Sequence, residues 1–197
     1  TAAEKQQAAE KAAQKTDLST ATVTTKAKVT FTGRVLKPAV TVKLGSKTLK
    51  SGTDYTVSYA NNKKVGVAVV VVAGAGSYTG AAIKTFKIVK AKNTITAKAK
   101  KKVITLKAAK LKKANQTVKA KNALTVSKAV GKVTYAKAGV VKAKFKKYFT
   151  VNAKTGNIAV KKGLKAGTYK VKVKVTAAGN ANYKKLTKTV TLKIKVK

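Results

Sequence analysis

The sequence has no histidine, cysteine, methionine or tryptophan, a single proline, and only four acidic residues among 197. Each absence removes a class of chemistry. Without His or Cys there is no imidazole base, no thiol nucleophile and no soft metal ligand. The acids are Glu4, Glu10, Asp17 and Asp54, three of them within the first 17 residues. Neither paired-carboxylate hydrolysis nor a multidentate calcium cage can be built from so few. The expectation is a protein that is not an enzyme, with no catalytic residue, metal or cofactor. A chain without cysteine needs no disulfides, which fits the cytosol and an exported protein equally. Methionine is missing even at position 1, which reads as an internal or processed piece of a larger parent polypeptide.

What the sequence does have is lysine. Lys and Arg number 46, for a net charge of +42, and the charge is unevenly placed. Residues 1–18 balance to zero. Residues 19–90 carry 12 basic residues, including the only arginine, Arg34, against Asp54. Residues 91–197 carry 31 lysines and no acid. Such a charge opposes compaction by self-repulsion. Disorder would pair it with few apolar residues, yet 44% of the chain is hydrophobic, much of it valine in alternation.

The segment TAAEKQQAAEKAAQKTDL reads as helix, with Thr1 and Glu4 at capping-box spacing. Its apolar residues up to position 17 are all alanine, so it has little to bury and is expected to be a helical linker over 1–18. From residue 20 the period changes to two. Residues 22–30 read as extended, and residues 39–44 turn through Gly45-Ser46 into 47–50. Tyr55, Val57 and Tyr59 share one strand face, Asn61-Asn62 form a turn, and residues 67–73 are apolar on both faces, as in a central strand.

Residues 65–83 run 19 positions without a charge, near the length of a membrane span. Gly66, Gly74, Gly76 and Gly80, with Ser77, Tyr78 and Thr79, interrupt the run, so a buried strand and a loop are expected and no transmembrane segment.

The second half repeats the plan, with short strands expected over 103–106, 124–126 and 133–135. Phe149, Val151, Ile158 and Val160 are available to a core from two strands joined by a turn over 153–156. YKVKVKV (169–175) alternates strictly, so Tyr169, Val171, Val173 and Val175 face inward while Lys170, Lys172 and Lys174 face solvent. A last strand over 190–196 places Lys193 and Lys195 outward in the same way. AGAGSY (73–78) and AGNANY (178–183) echo each other, each between a valine-rich strand and a closing strand with a Lys-Ile pair. The reading is all-β: two tandem antiparallel Ig-like β-sandwiches after a short α-helical linker, divided 1–18, 19–90 and 91–197.

The stretch LKSGTDYTVSYANNKKVGVAVVVVAGAGSYTGAAIKTFKI (49–88) resembles the bacterial immunoglobulin-like repeats of Gram-positive surface proteins. The shared pattern is G-T-D-Y-x-V-x-Y-x-N-N, a Gly-led valine strand, G-x-G-x-Y-x-G and a closing F-x-I. Residues 145–183 are similar to lysine-rich C-terminal modules of such exported proteins, and contain the F-x-V-x-x-x-T-G-x-I pattern of cadherin-like repeats. The calcium-binding carboxylates of cadherins have no counterpart here. The resemblance implies an extracellular stalk, adhesion or wall-attachment segment at the cell surface, and supplies no catalytic residue.

The lysine clusters are the candidate site: Lys100, Lys101 and Lys102; Lys112 and Lys113; Lys142, Lys144, Lys146 and Lys147; Lys161 and Lys162; Lys184 and Lys185. Lysine is a hydrated point charge that binds phosphate without geometric discrimination. The expected partner is an anionic cell-wall polymer or acidic glycan, the alternatives being an adhesin for a host protein or glycan, or a non-specific nucleic-acid or biofilm-matrix binder; non-specific nucleic acid binding in vitro is expected in any case. Scattered lysines also serve as a solvated face that guards strand edges from aggregation. Base stacking would fall to Tyr148 and Tyr183, which read instead as packing or corner residues. Asp54 reads as a turn residue before its strand, against the alternative of promoting a Lys–Asn isopeptide bond.

Overall fold

A computed structural model describes the backbone of all 197 residues and every side chain except those of residues 8, 9 and 11–13. The chain forms two compact units, Thr1–Ala91 and Lys92–Lys197. The helix spans Ala2–Ala13 and opens on the capping box: the Glu4 amide donates to the Thr1 hydroxyl at 3.4 Å, and the N-terminal ammonium donates to the Glu4 carboxylate at 2.5 Å. The linker ends earlier than its composition suggests. Thr16–Asp17 pairs in parallel with Tyr78–Thr79, and Leu18 is fully buried. Leu18 is the first large apolar side chain of the sequence, and it joins the first core.

In the first unit, one sheet runs in the order Lys28–Thr30, Ala81–Val89, Gly66–Gly74, Tyr55–Ala60. Its interior pairings are antiparallel, and Lys28–Thr30 adds in parallel at one edge. The other sheet is Thr22–Thr25, Val40–Leu44 and Lys47–Thr48, the last two joined through Gly45 at φ 58. The single extended run expected over 22–30 is therefore two strands. Thr22–Thr25 belongs to one sheet and Lys28–Thr30 to the other.

Val23 and Val42 meet Ala68, Val70, Val72, Phe86 and Ile88 between the sheets. Gly66–Gly74 is central, as expected, but only alternate residues enter the core. Val67 on its outer face is 60% exposed and the neighbouring strand's Ile83 is 68% exposed.

The second unit uses the same sheet order and senses. Ile104–Leu106 lies parallel to Leu186–Val196, which pairs antiparallel with Gly167–Ala177, which in turn pairs with Val133–Val140. Against it stand the sheet Gln116–Val118, Ile158–Val160, Phe149–Val151 and the pair Thr96–Ala99 with Leu124–Ser127. Tyr169, Val171, Val173 and Val175 are buried, and Lys170, Lys172 and Lys174 are exposed. The Tyr169 hydroxyl donates to the Lys165 carbonyl four residues upstream at 2.8 Å, the arrangement of a tyrosine corner.

The echoing AGAGSY and AGNANY segments occupy corresponding connections, each between the two long central strands of its sheet. The fold is thus two tandem Ig-like β-sandwiches after a short helix. The strand pattern does not announce the helices Ala108–Lys113 and Ala120–Ala123 or the 3-10 turn Ala143–Tyr148. Helix Ala108–Lys113 contributes a single core residue, Leu111.

Candidate polyanion-binding surface

All thirteen candidate lysines are exposed. They sit in turns and at the ends of strands and helices. Lys100, Lys101 and Lys102 form the bend between Thr96–Ala99 and Ile104–Leu106. Lys112 and Lys113 close helix Ala108–Lys113, where its C-terminal carbonyls favour cations. Lys142 precedes the 3-10 turn that holds Lys144, Lys146 and Lys147. Lys161 and Lys162 follow Ile158–Val160, and Lys184 and Lys185 precede Leu186–Val196.

Backbone bonds draw three of these clusters into one neighbourhood. The Lys161 amide donates to the Tyr148 carbonyl at 2.9 Å, and the Gly163 amide to the Leu111 carbonyl at 2.9 Å. The Lys162 amide donates to Asn115 Oδ1 at 2.8 Å. The other two clusters are held elsewhere. The Lys100 amide and Nζ bond the Ala123 and Lys121 carbonyls at 2.8 and 3.1 Å, and the Lys184 carbonyl accepts from Asn93 Nδ2 at 3.2 Å. A cleft of about 780 Å³ beside the first of these is lined by Lys101, Lys119 and Lys121 with Val103, Ile104 and Leu106 among its walls.

Strand register gathers further lysines that contiguous runs do not reveal. Lys170 stands directly opposite Lys193, Thr168 opposite Lys195, Lys172 opposite Thr191, and Lys174 opposite Thr189. On the next strand, Ala136 lies opposite Lys174 and Gly139 opposite Lys172. The outer face of this sheet is therefore lysine and threonine beside small neighbours at Ala136 and Gly139, with the exposed Val141 next to Lys170. The sequence already points these lysines outward, but their assembly across strands depends on pairing.

The aromatics are occupied. Tyr148 is half-buried against the core, with Lys147 Nζ 5.4 Å from its ring centroid. Tyr183 is half-buried in a turn, its amide donating to Asn180 Oδ1 at 2.9 Å and its carbonyl accepting from the Asn180 amide at 3.0 Å. Asp54 accepts from the Lys50 amide at 2.8 Å, the turn role. Elsewhere in the first unit, the Tyr78 hydroxyl accepts from Lys47 Nζ at 2.8 Å, and that bond raises the lysine's pKa. Among the described residues, no three His, Cys, Asp or Glu side chains gather, and no helix is long and apolar enough to cross a membrane.

No protein family matches the chain, and no curated protein matches it. Solved structures that do match include human protocadherin-24 EC1-2, at 12% identity and a TM-score of 0.43, covering 90% of this chain and 98% of that one. The extracellular domain of protocadherin gamma B4 matches at 10% identity and a TM-score of 0.42, covering 90% of this chain and 33% of that one. Drosophila N-cadherin EC1-4 matches at 13% identity and a TM-score of 0.39, covering 88% and 48%. The chain thus spans between a third and a half of the length of several of these structures.

Proposed function

We propose that this chain is a non-enzymatic extracellular attachment or stalk module of a larger bacterial surface protein, and that its second unit associates electrostatically with an anionic cell-wall polymer or acidic glycan. The observation that carries this reading is the charge of residues 91–197: 31 lysines and no acidic side chain. A field of one sign over a folded surface recruits polymeric counter-ions, and lysine does so without demanding a particular ligand geometry. Each sandwich is a compact folded unit, as such a segment needs.

The test is retention of the chain on purified Gram-positive cell walls. Retention is expected at low ionic strength, and it is expected to disappear in ~0.5 M salt, where exposed charges are screened within a few ångströms. It should also fall sharply when wall teichoic acid is extracted beforehand. Saturable binding to a host protein or glycan that survives that salt would replace this reading with that of an adhesin.

A further inference from the structure

We infer that the outer face of the second unit's four-stranded sheet is the polymer-binding platform, and that it takes a flexible linear polyphosphodiester built on short polyols. The inference rests on the proposed association with anionic polymer and says where it occurs and with what chemistry. Lys170, Lys172 and Lys174 recur at every second position of Gly167–Ala177, and Lys193 and Lys195 do so on the adjacent strand. Successive lysines on one strand are therefore rooted roughly 6.6–6.8 Å apart, and Lys170 and Lys193, the cross-strand lysine pair, sit on strands about 4.7–4.9 Å apart. All five are exposed.

Three features distinguish this array from a solvated face. First, it is fixed from below: Val171, Val173, Leu192 and Ile194, the residues that alternate with these lysines, are fully buried. The charges therefore stand on the two longest strands of the unit, both anchored in its core. Second, its repulsion is unrelieved. Lys170 and Lys193 are direct cross-strand partners, an unfavourable pairing of like charges. No acidic side chain exists anywhere in the unit to offset it. A bound polyanion removes that cost, so binding and stability are coupled.

Third, what surrounds the lysines is small or hydroxylic. Thr168, Thr189 and Thr191 offer hydroxyl donors beside them, and Ala136 and Gly139 on the flanking strand leave the approach open beside Lys174 and Lys172; the exception is the exposed Val141, whose amide donates to the Lys170 carbonyl at 3.0 Å.

The same face argues against other polyanions. No aromatic projects from it, so neither a nucleobase nor a sugar ring finds a stacking partner. It carries no arginine, so it has no bidentate fork for reading a planar group. Charge density alone selects the ligand. That favours a thin, flexible chain whose phosphates are separated by short linkers, over a stiff duplex or a bulky uronate polysaccharide.

The test uses the full chain and poly(glycerol phosphate), titrated by calorimetry. The variant K170Q/K172Q/K174Q/K193Q/K195Q is compared with K98Q/K110Q/K119Q/K132Q/K154Q, which removes the same charge from exposed positions elsewhere in the unit. The face variant should lose affinity by on the order of thirtyfold or more at low salt, and its log K against log salt slope should flatten by about 3 to 4, as expected for five lost phosphate contacts on a flexible strand. The control should lose less than about threefold. Equal losses would overturn the site while leaving the association itself intact, whereas failure of the wild-type chain to bind would remove both.

Amide chemical-shift mapping on the wild-type chain gives a readout that no variant's folding affects. Shifts should concentrate in 168–174 and 189–195; shifts centred on 100–102, 112–113 or 161–162 would contradict the inference. Tighter binding of single-stranded DNA or of a uronate polymer at matched charge would contradict the assigned chemistry.

Discussion

Asn93 is the one polar residue in the core among the described residues, at 4% exposure. Its side chain is saturated. Nδ2 donates to the Val130 and Lys184 carbonyls at 2.9 and 3.2 Å, and Oδ1 accepts from the Ile95 and Val130 amides at 3.2 and 3.1 Å. These bonds tie the start of the second unit to two of its loops. Removing the side chain leaves buried amides and carbonyls without partners, which costs on the order of 1–3 kcal/mol per group. Asn93→Ala should therefore lower stability by about 3 kcal/mol in urea unfolding. The tyrosines make a pH prediction. Burial raises the pKa of Tyr59 and Tyr169 above the ordinary tyrosine value, and their hydroxyls donate to the Pro38 and Lys165 carbonyls. A phenol with a raised folded pKa contributes stability that is complete below the unfolded pKa of about 10 and lost as pH rises through the folded one. Unfolding followed by circular dichroism should thus begin above about pH 10, together with the tyrosinate absorbance. Asn93 could not be read from the sequence, because a polar residue at a boundary carries no periodic signal.

The pairing of strands makes further commitments. Gly131 has φ 82, and a Cβ there would run into the backbone of Gly179, itself at φ 75. The Gly179 amide also donates to the Val130 carbonyl at 3.0 Å, so the two loops cannot easily move apart. Gly131→Ala should cost about 2 kcal/mol or more, since left-handed backbone strain and close contact add. The Lys170–Lys193 pair works in the opposite direction. Lys193→Glu turns a repulsive cross-strand pair into an attractive one and should stabilise the unit by about 0.2–1 kcal/mol, read as a raised melting temperature at low salt. The same change should weaken polymer binding. Gly167–Ala177 was legible almost residue by residue, because valine and lysine alternate at the period of a strand. Helix Ala108–Lys113 was not: it is six residues long, rich in Ala and Lys, and buries Leu111 fully with Ala108 only partly against the core. Its amphipathic pattern is too short to repeat. The same limit shaped the candidate site. Lysines contiguous in sequence stand out, and they lie in turns and strand ends. Those that form the sheet face are diluted by intervening valines and assemble only through register.

For the whole molecule, +42 on 197 residues makes ionic strength a structural variable. Self-repulsion is screened over a Debye length of about 10 Å at 0.1 M salt and about 3 Å at 1 M, so the melting temperature should rise with salt between those conditions. A melting temperature that falls with added sodium chloride would show that attractive pairs, not repulsion, dominate the surface. Binding must respond in the other direction, since the screening that relieves the fold also releases the polymer. Hence stability and affinity have opposite salt dependences from one cause, the acid-free surface of residues 91–197. The decisive quantity is the slope of log K against log salt for the full chain with poly(glycerol phosphate). A linear fall with a slope of about −3 to −4 is expected for some five lysine–phosphate contacts on a flexible strand. A slope near zero, with binding retained at ~0.5 M salt where diffuse charge is screened, would contradict an electrostatic attachment surface.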